Sequence, residues 1–281
     1  MSQNPGEDRQ TLPADWQAPP PERWPVPGDP EGAADSQPLD QPWPLHHGGV
    51  NAFPVPWRWW DAVMIYVLAI MAAILTTVPL MLVAREDLIV PLSIAIQGGL
   101  TLVATLGWLG VRYRRELRRL FGPVSAKTSD ALVGLAGGAA AFFLLNVVVG
   151  SLLTIVAERF GFEVPEVQQN LREFLQDPAL GWLAVAVAVL LAPIGEELLF
   201  RGVLFQSLRA RMRLWPAVVI SSIAFGAVHY EPLLIALTAM VGAVLAWLFH
   251  LRGSLVTPIV AHAVYNGISV GILLFTTGMS G

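Results

Sequence analysis

Seven stretches of this chain are apolar over roughly the length needed to cross a bilayer, and nothing else constrains its fold as strongly. A crossing helix needs about 20 mostly apolar residues. The candidates are 61–84, 89–111, 130–156, 180–201, 214–230, 233–250 and 254–277. The fifth and sixth are short, with Glu231-Pro232 between them, so six to eight spans fit the pattern. No internal repeat is evident, and the alternating pattern of a transmembrane β-barrel is missing. Charged residues make up 14% of the chain, against roughly a quarter in globular proteins. The expected fold is all-α: a polytopic transmembrane helix bundle of about seven spans. Trp57, Trp59 and Trp60 crowd the start of the first span, as an interfacial aromatic belt does.

What precedes the spans has a different composition. Residues 1–56 hold 13 of the 22 prolines and carry a net charge of −6, leaving +2 for the rest. A proline-rich, acidic, weakly apolar segment cannot bury enough surface to offset its ordering entropy, so a disordered tail is expected. It has no basic start followed by an apolar run, so it does not read as a signal peptide. Trp16, Trp24, Trp43 and the pair His46-His47 read as residues of that solvated tail. The chain has no cysteine, which excludes disulfides, thiolate metal sites and a cysteine nucleophile.

Basic residues in short loops set orientation. Arg112, Arg114, Arg115, Arg118, Arg119 and Lys127 precede the third span; Arg209, Arg211 and Arg213 precede the fifth; Arg252 precedes the seventh. All three loops fall on one side, the cytoplasm, and the tail falls with them. The opposite loop, 157–178, is acidic, and reads equally as a solvated loop or an amphipathic interfacial helix. The Arg-rich loop is explained by topology and anionic lipid rather than by nucleic acid. Arginine outnumbers lysine sixteen to one, which points to a GC-rich bacterial genome and so to a bacterial inner membrane.

Ionisable groups inside a bilayer cost roughly 2.5–3.5 kcal/mol each on insertion scales, so those retained there function or are paired. The fourth span contains Glu196, Glu197 and Arg201. Glu197 and Arg201 are four apart on one helix face and can pair. Glu196 is rotated by about 100° from that face and lacks the partner. It can face a cavity and act as general base for water. The fifth span carries Phe225 and His229, the seventh His262 and Asn266, each pair four apart. Helix–helix hydrogen bonding is the plainer account of the histidines and Asn266. Asn146 and Gln97 read as packing residues and His250 as interfacial.

Taken together, Glu196, His229 and His262 are groups suited to peptide hydrolysis by water inside a bilayer. A Glu can deprotonate water, a His can donate a proton or stabilise the oxyanion, and Asn266 can add a donor. Alternatively, Glu196, His229 and His262 could hold a zinc-like divalent metal that activates the water. Glu196-Glu197-x-x-x-Arg201, Phe225-x-x-x-His229 and His262-x-x-x-Asn266 resemble, in order and on three spans, the motif set of the CPBP family. These are intramembrane endopeptidases, named for CAAX prenyl proteases and bacteriocin-processing enzymes. The resemblance covers roughly 180–270. It implies Glu196 as catalytic base, His229 and His262 orienting water or binding metal, Asn266 stabilising the oxyanion, and Glu197 and Arg201 holding the site. It divides the chain into the tail (1–56), N-terminal spans (57–178) and a catalytic membrane domain (179–278). The substrate expected is a membrane protein or lipidated peptide. Two rival readings use the same residues: a non-enzymatic membrane scaffold regulating a sensor kinase or secretion factor, and a proton-coupled transporter.

One expectation conflicts with this assembly. With the cytoplasmic end of the fourth span at Arg201, Glu196 lies about 8 Å from that face at 1.5 Å per residue. His229, sixteen residues beyond Arg213, lies about 24 Å away in a straight helix. Convergence then requires a tilted or late-starting fifth span, or a buried turn after it.

Overall fold

The computed structural model describes residues 55–82, 86–122, 126–161, 181–229 and 232–278, all within the unit Leu39–Gly281. The tail lies outside the described residues apart from its last two, as does the acidic loop 157–178 from residue 162 onward.

The described residues are helical throughout, with no strand among them. Helix α1 is Trp59–Leu80 and α2 is Glu86–Arg112, followed by a 3-10 helix at Arg114–Phe121. Helix α3 runs from Thr128–Phe142 through a π segment at Phe143–Gly150 into Ser151–Arg159. Helix α4 is Gly181–Arg209, α5 Leu214–Ala227, α6 Pro232–Arg252 and α7 Val256–Gly278. Among the described residues five helices are long and apolar enough to cross a membrane: α1, Thr128–Val156 of α3, α4, Ile235–Arg252 of α6 and Val256–Thr276 of α7. The α5 helix is apolar but has only 14 residues.

Burial shows which helix is central. Every residue of α4 from Glu197 to Arg209 is buried, because α1, α2, α5, α6 and α7 all pack on this helix. An all-round apolar helix can be accommodated only where protein surrounds it or lipid does. By contrast α1 turns Val63, Met64, Val67, Met71, Leu75 and Val78 outward, as a lipid-facing helix would.

Close packing depends on small residues. Gly134 and Gly138 lie one turn apart on α3, where a Cβ on Gly138 would collide with the backbone of Ala261 in α7. Backbones can approach that closely only where the side chain is missing.

The loops at one end of the bundle are fastened by buried acids. Asp61 and Asp130 sit in the first turns of α1 and α3, where each accepts the N–H of its capping residue, Arg58 or Lys127, at 2.8 Å. Negative charge there also complements the helix dipole. Asp61 is met by the Trp108 indole N–H at 2.8 Å and the Tyr113 hydroxyl at 3.1 Å, from the end of α2. Asp130 is met by Arg252, from the end of α6, at 2.7–2.8 Å. Gln206 donates to the carbonyls of Arg119 and Leu120, and Leu255 N–H to Phe121. The three Arg-rich connections thus gather on one face of the bundle.

The fourth helix does not end at Arg201. It continues through eight further residues to Arg209, because Gly202–Leu208 stay buried among neighbouring helices. That corrects the depth argument. Glu196 lies thirteen residues before Arg209 and His229 sixteen after Arg213, about 20 and 24 Å from the same end, so the mismatch shrinks from about 16 Å to about 4 Å. The fifth helix needs neither a late start nor a special tilt for its end to reach the site.

Candidate active site

Proline shapes the helix that carries the two glutamates. Pro193 lacks an N–H and cannot close a helical hydrogen bond to the preceding turn. There α4 widens into a π segment, Val187–Leu191, in which Ala192 N–H bonds to Val187 C=O. In that register the next bond would run from residue 193 to the Ala188 carbonyl, and proline cannot make it. The Asn266 side chain of α7 supplies the donor instead, Nδ2 to Ala188 O at 2.9 Å. A second π segment, Leu198–Phe205, follows the short α-helical stretch Ala192–Glu197. Such segments are rare and recur at functional sites.

The two adjacent carboxylates have different surroundings. Glu197 is fully buried, and its Oε1 takes two bonds: Arg201 Nη1 at 2.8 Å and His262 Nδ1 at 2.9 Å. Its Oε2 is also buried and has no hydrogen-bond partner. Arg201, likewise buried, donates from Nη2 to the Gly242 carbonyl of α6 at 3.0 Å, and its guanidinium lies 4.4 Å over the Phe225 ring. Glu196 instead keeps a quarter of its side chain exposed, with Oε2 at 3.9 Å from His262 Nε2. That gap is too long for a direct hydrogen bond.

Bonding assigns the histidine tautomers. A carboxylate is an acceptor, so His262 donates from Nδ1 to Glu197 and turns an Nε2 lone pair toward Glu196. His229 Nδ1 sits 2.9 Å from the Phe225 carbonyl, four residues back, so it too donates from Nδ1. Phe225 stands between the two imidazoles, 5.2 Å from the His229 ring and 5.7 Å from that of His262, and Phe200 braces its edge at 5.1 Å.

Of the residues singled out from sequence, Glu196, Glu197, Arg201 and Phe225 therefore gather around His262, while His229 is joined to them through Phe225. Asn266 is one helical turn beyond His262, with one amide N–H already given to Ala188. Asn146 bonds Tyr265, consistent with a packing role. Gly242 and Ala188 take part only through backbone carbonyls, which no side-chain motif could reveal; Pro193 inside an apolar run was the available sign of the second. Among the described residues no three His, Asp or Glu side chains are grouped so as to hold a metal ion.

The chain is thus an all-α membrane bundle whose central helix buries a carboxylate–arginine–histidine cluster beside a more exposed glutamate. Residues 178–268 match the family model described as type II CAAX prenyl endopeptidase Rce1-like, so this region is similar to that family. A relative from Bacillus subtilis (strain 168), named "Putative membrane peptidase YdiL", is 28% identical over 109 residues. That match covers 39% of this chain and 45% of the relative, so the chain spans less than half the length of the protein it resembles. No solved structure matches the chain.

Proposed function

We propose that this protein is an intramembrane endopeptidase that hydrolyses a peptide bond of a membrane-associated substrate with water activated by Glu196. The observation carrying the reading is the 3.9 Å gap between Glu196 Oε2 and His262 Nε2, with His262 held by Glu197. A water at that gap can meet both acceptors. Glu196, the accessible carboxylate, takes its proton as the oxygen attacks the substrate carbonyl, a contribution worth about 10²–10⁴ in rate. Glu197 keeps the His262 tautomer and orientation. Its own charge is balanced by Arg201.

The tetrahedral oxyanion needs donors. The second N–H of Asn266 can supply one, and His229 another after taking a proton from solvent at Nε2. The proton taken by Glu196 passes to the leaving amine. No step is routed through a metal, because the donor groups do not form a ligand set.

The substrate is a membrane protein or lipidated peptide, recognised within the bilayer. The gathering of basic residues on one face supports a cytoplasmic location for that face, the N-terminus and the cavity opening, in a bacterial inner membrane. The test is cleavage of candidate membrane peptides by purified full-length protein in lipid nanodiscs. Glu196→Gln is expected to lower the rate by at least about a hundredfold; an unchanged rate overturns the role of Glu196.

A further inference from the structure

An apolar groove of about 630 Å³ runs along the outer side of α1 and α2, away from the candidate active site, lined by Leu68, Ala72, Leu100, Val103, Gly107 and Arg112 among others. Small residues create it. Ala72, Ala104 and Gly107 face the gap, and a Cβ added to Gly107 would meet nothing within 4 Å. Its walls are apolar from Leu100 to Val111, and it ends at the Arg112 guanidinium.

Length and level identify the occupant's shape. From Leu100 to Arg112 the helix rises about 18 Å, close to one leaflet of a hydrocarbon core about 30 Å thick. The Arg112 end lies beside the rings of Trp108 and Tyr113, 6.0 and 5.6 Å from its guanidinium, residue types that favour headgroup level. Arg112 donates from Nε to the Tyr113 hydroxyl at 3.1 Å and lies 3.8 Å from Asp61, while its side chain is 56% exposed. Arg114 and Arg115 follow it, both exposed, so the groove's mouth is cationic.

We propose that this groove is a specific site for one anionic phospholipid, an acyl chain lying along α1 and α2 and the phosphate set against Arg112. A second copy of the chain fits less well, since its matching mouth would oppose arginine to arginine. Selectivity rests in the headgroup: acyl chains are as apolar as the groove, so burying one gains little over bulk lipid, whereas a basic residue at the surface favours anionic lipid.

The test is native mass spectrometry of the full chain in detergent, titrated with phosphatidylglycerol or with phosphatidylcholine. One tightly retained phosphatidylglycerol is expected, and phosphatidylcholine is retained at least about fivefold more weakly. Gly107→Phe fills the groove and is expected to abolish the tight adduct. Arg112→Gln weakens it about fivefold, and Arg112→Lys restores it. Melting temperatures verify that each variant is folded. Equal retention of the two lipids overturns the proposal, as does an adduct untouched by Gly107→Phe. So does a dimer that Gly107→Phe dissociates, which would make the groove a contact between copies.

Discussion

Glu196 and Glu197 are neighbours in sequence with opposite duties, so neutralising each should have opposite signatures. Glu197→Gln removes the charge that balances Arg201 and supports His262, in a site where Glu197 and Arg201 are 0% and 1% exposed. Breaking a buried pair by removing one partner costs about 3–5 kcal/mol, because the other charge stays buried and uncompensated. At about 2–4 °C per kcal/mol for a chain of this size, the melting temperature should fall by roughly 6–20 °C. Glu196 makes no close hydrogen bond and is a quarter exposed, so Glu196→Gln should melt within about 2 °C of the parent, since it breaks no buried pair. Its cost should fall on cleavage, about 10²–10⁴ in rate. Intrinsic tryptophan fluorescence in nanodiscs follows the melting, and a peptide cleavage assay on the same samples follows the chemistry. The double variant Glu197→Gln with Arg201→Met removes both charges and should recover at least about 2 kcal/mol of the single variant's loss. Wild-type-like melting of Glu197→Gln, or no recovery in the double variant, would refute the assignment of Glu197 as the structural carboxylate.

Gly138→Leu should destabilise the bundle by about 1–3 kcal/mol or more through collision with α7, while Gly110→Ala, with nothing within 4 Å of its Cβ, should be neutral or slightly stabilising; thermal melts of the two decide. Asn266→Ala strands the Ala188 carbonyl and should cost about 1–3 kcal/mol in stability. Removal of an oxyanion donor should also lower kcat by about 10²–10³, and a stability loss with kcat intact would confine Asn266 to helix packing. A stringent chelator should leave the cleavage rate of the wild type unchanged, because the described donors form no three-residue set; loss of activity restored by added zinc would overturn the metal-free mechanism.

Much of the site was legible because its pairings are local. Residues four apart share a helix face, so Glu197–Arg201 and Phe225–His229 could be paired from spacing, and apolar surroundings marked them as unusual. Depth was not legible. The charge of Arg201 suggested a membrane boundary, but its guanidinium is satisfied inside the bundle by Glu197, Gly242 and Phe225, and the helix runs on to Arg209. A charge marks an interface only when nothing inside can pair it. The widening of α4 was equally hidden, although Pro193 made an unpaired carbonyl inevitable somewhere in the preceding turn.

An all-helical membrane protein, the helix carrying each candidate residue and the partners within each helix follow from the chain alone, because apolar length and the 3.6-residue period are local properties. Which glutamate is buried, which nitrogen of His262 is turned to Glu196 and which side chain caps the orphaned carbonyl of Ala188 emerge from the packing of the helices. Each of those depends on how α4, α5, α6 and α7 are seated against one another. That seating is set by close backbone approach and by buried polar groups finding partners on other helices, and neither leaves a periodic trace in the chain.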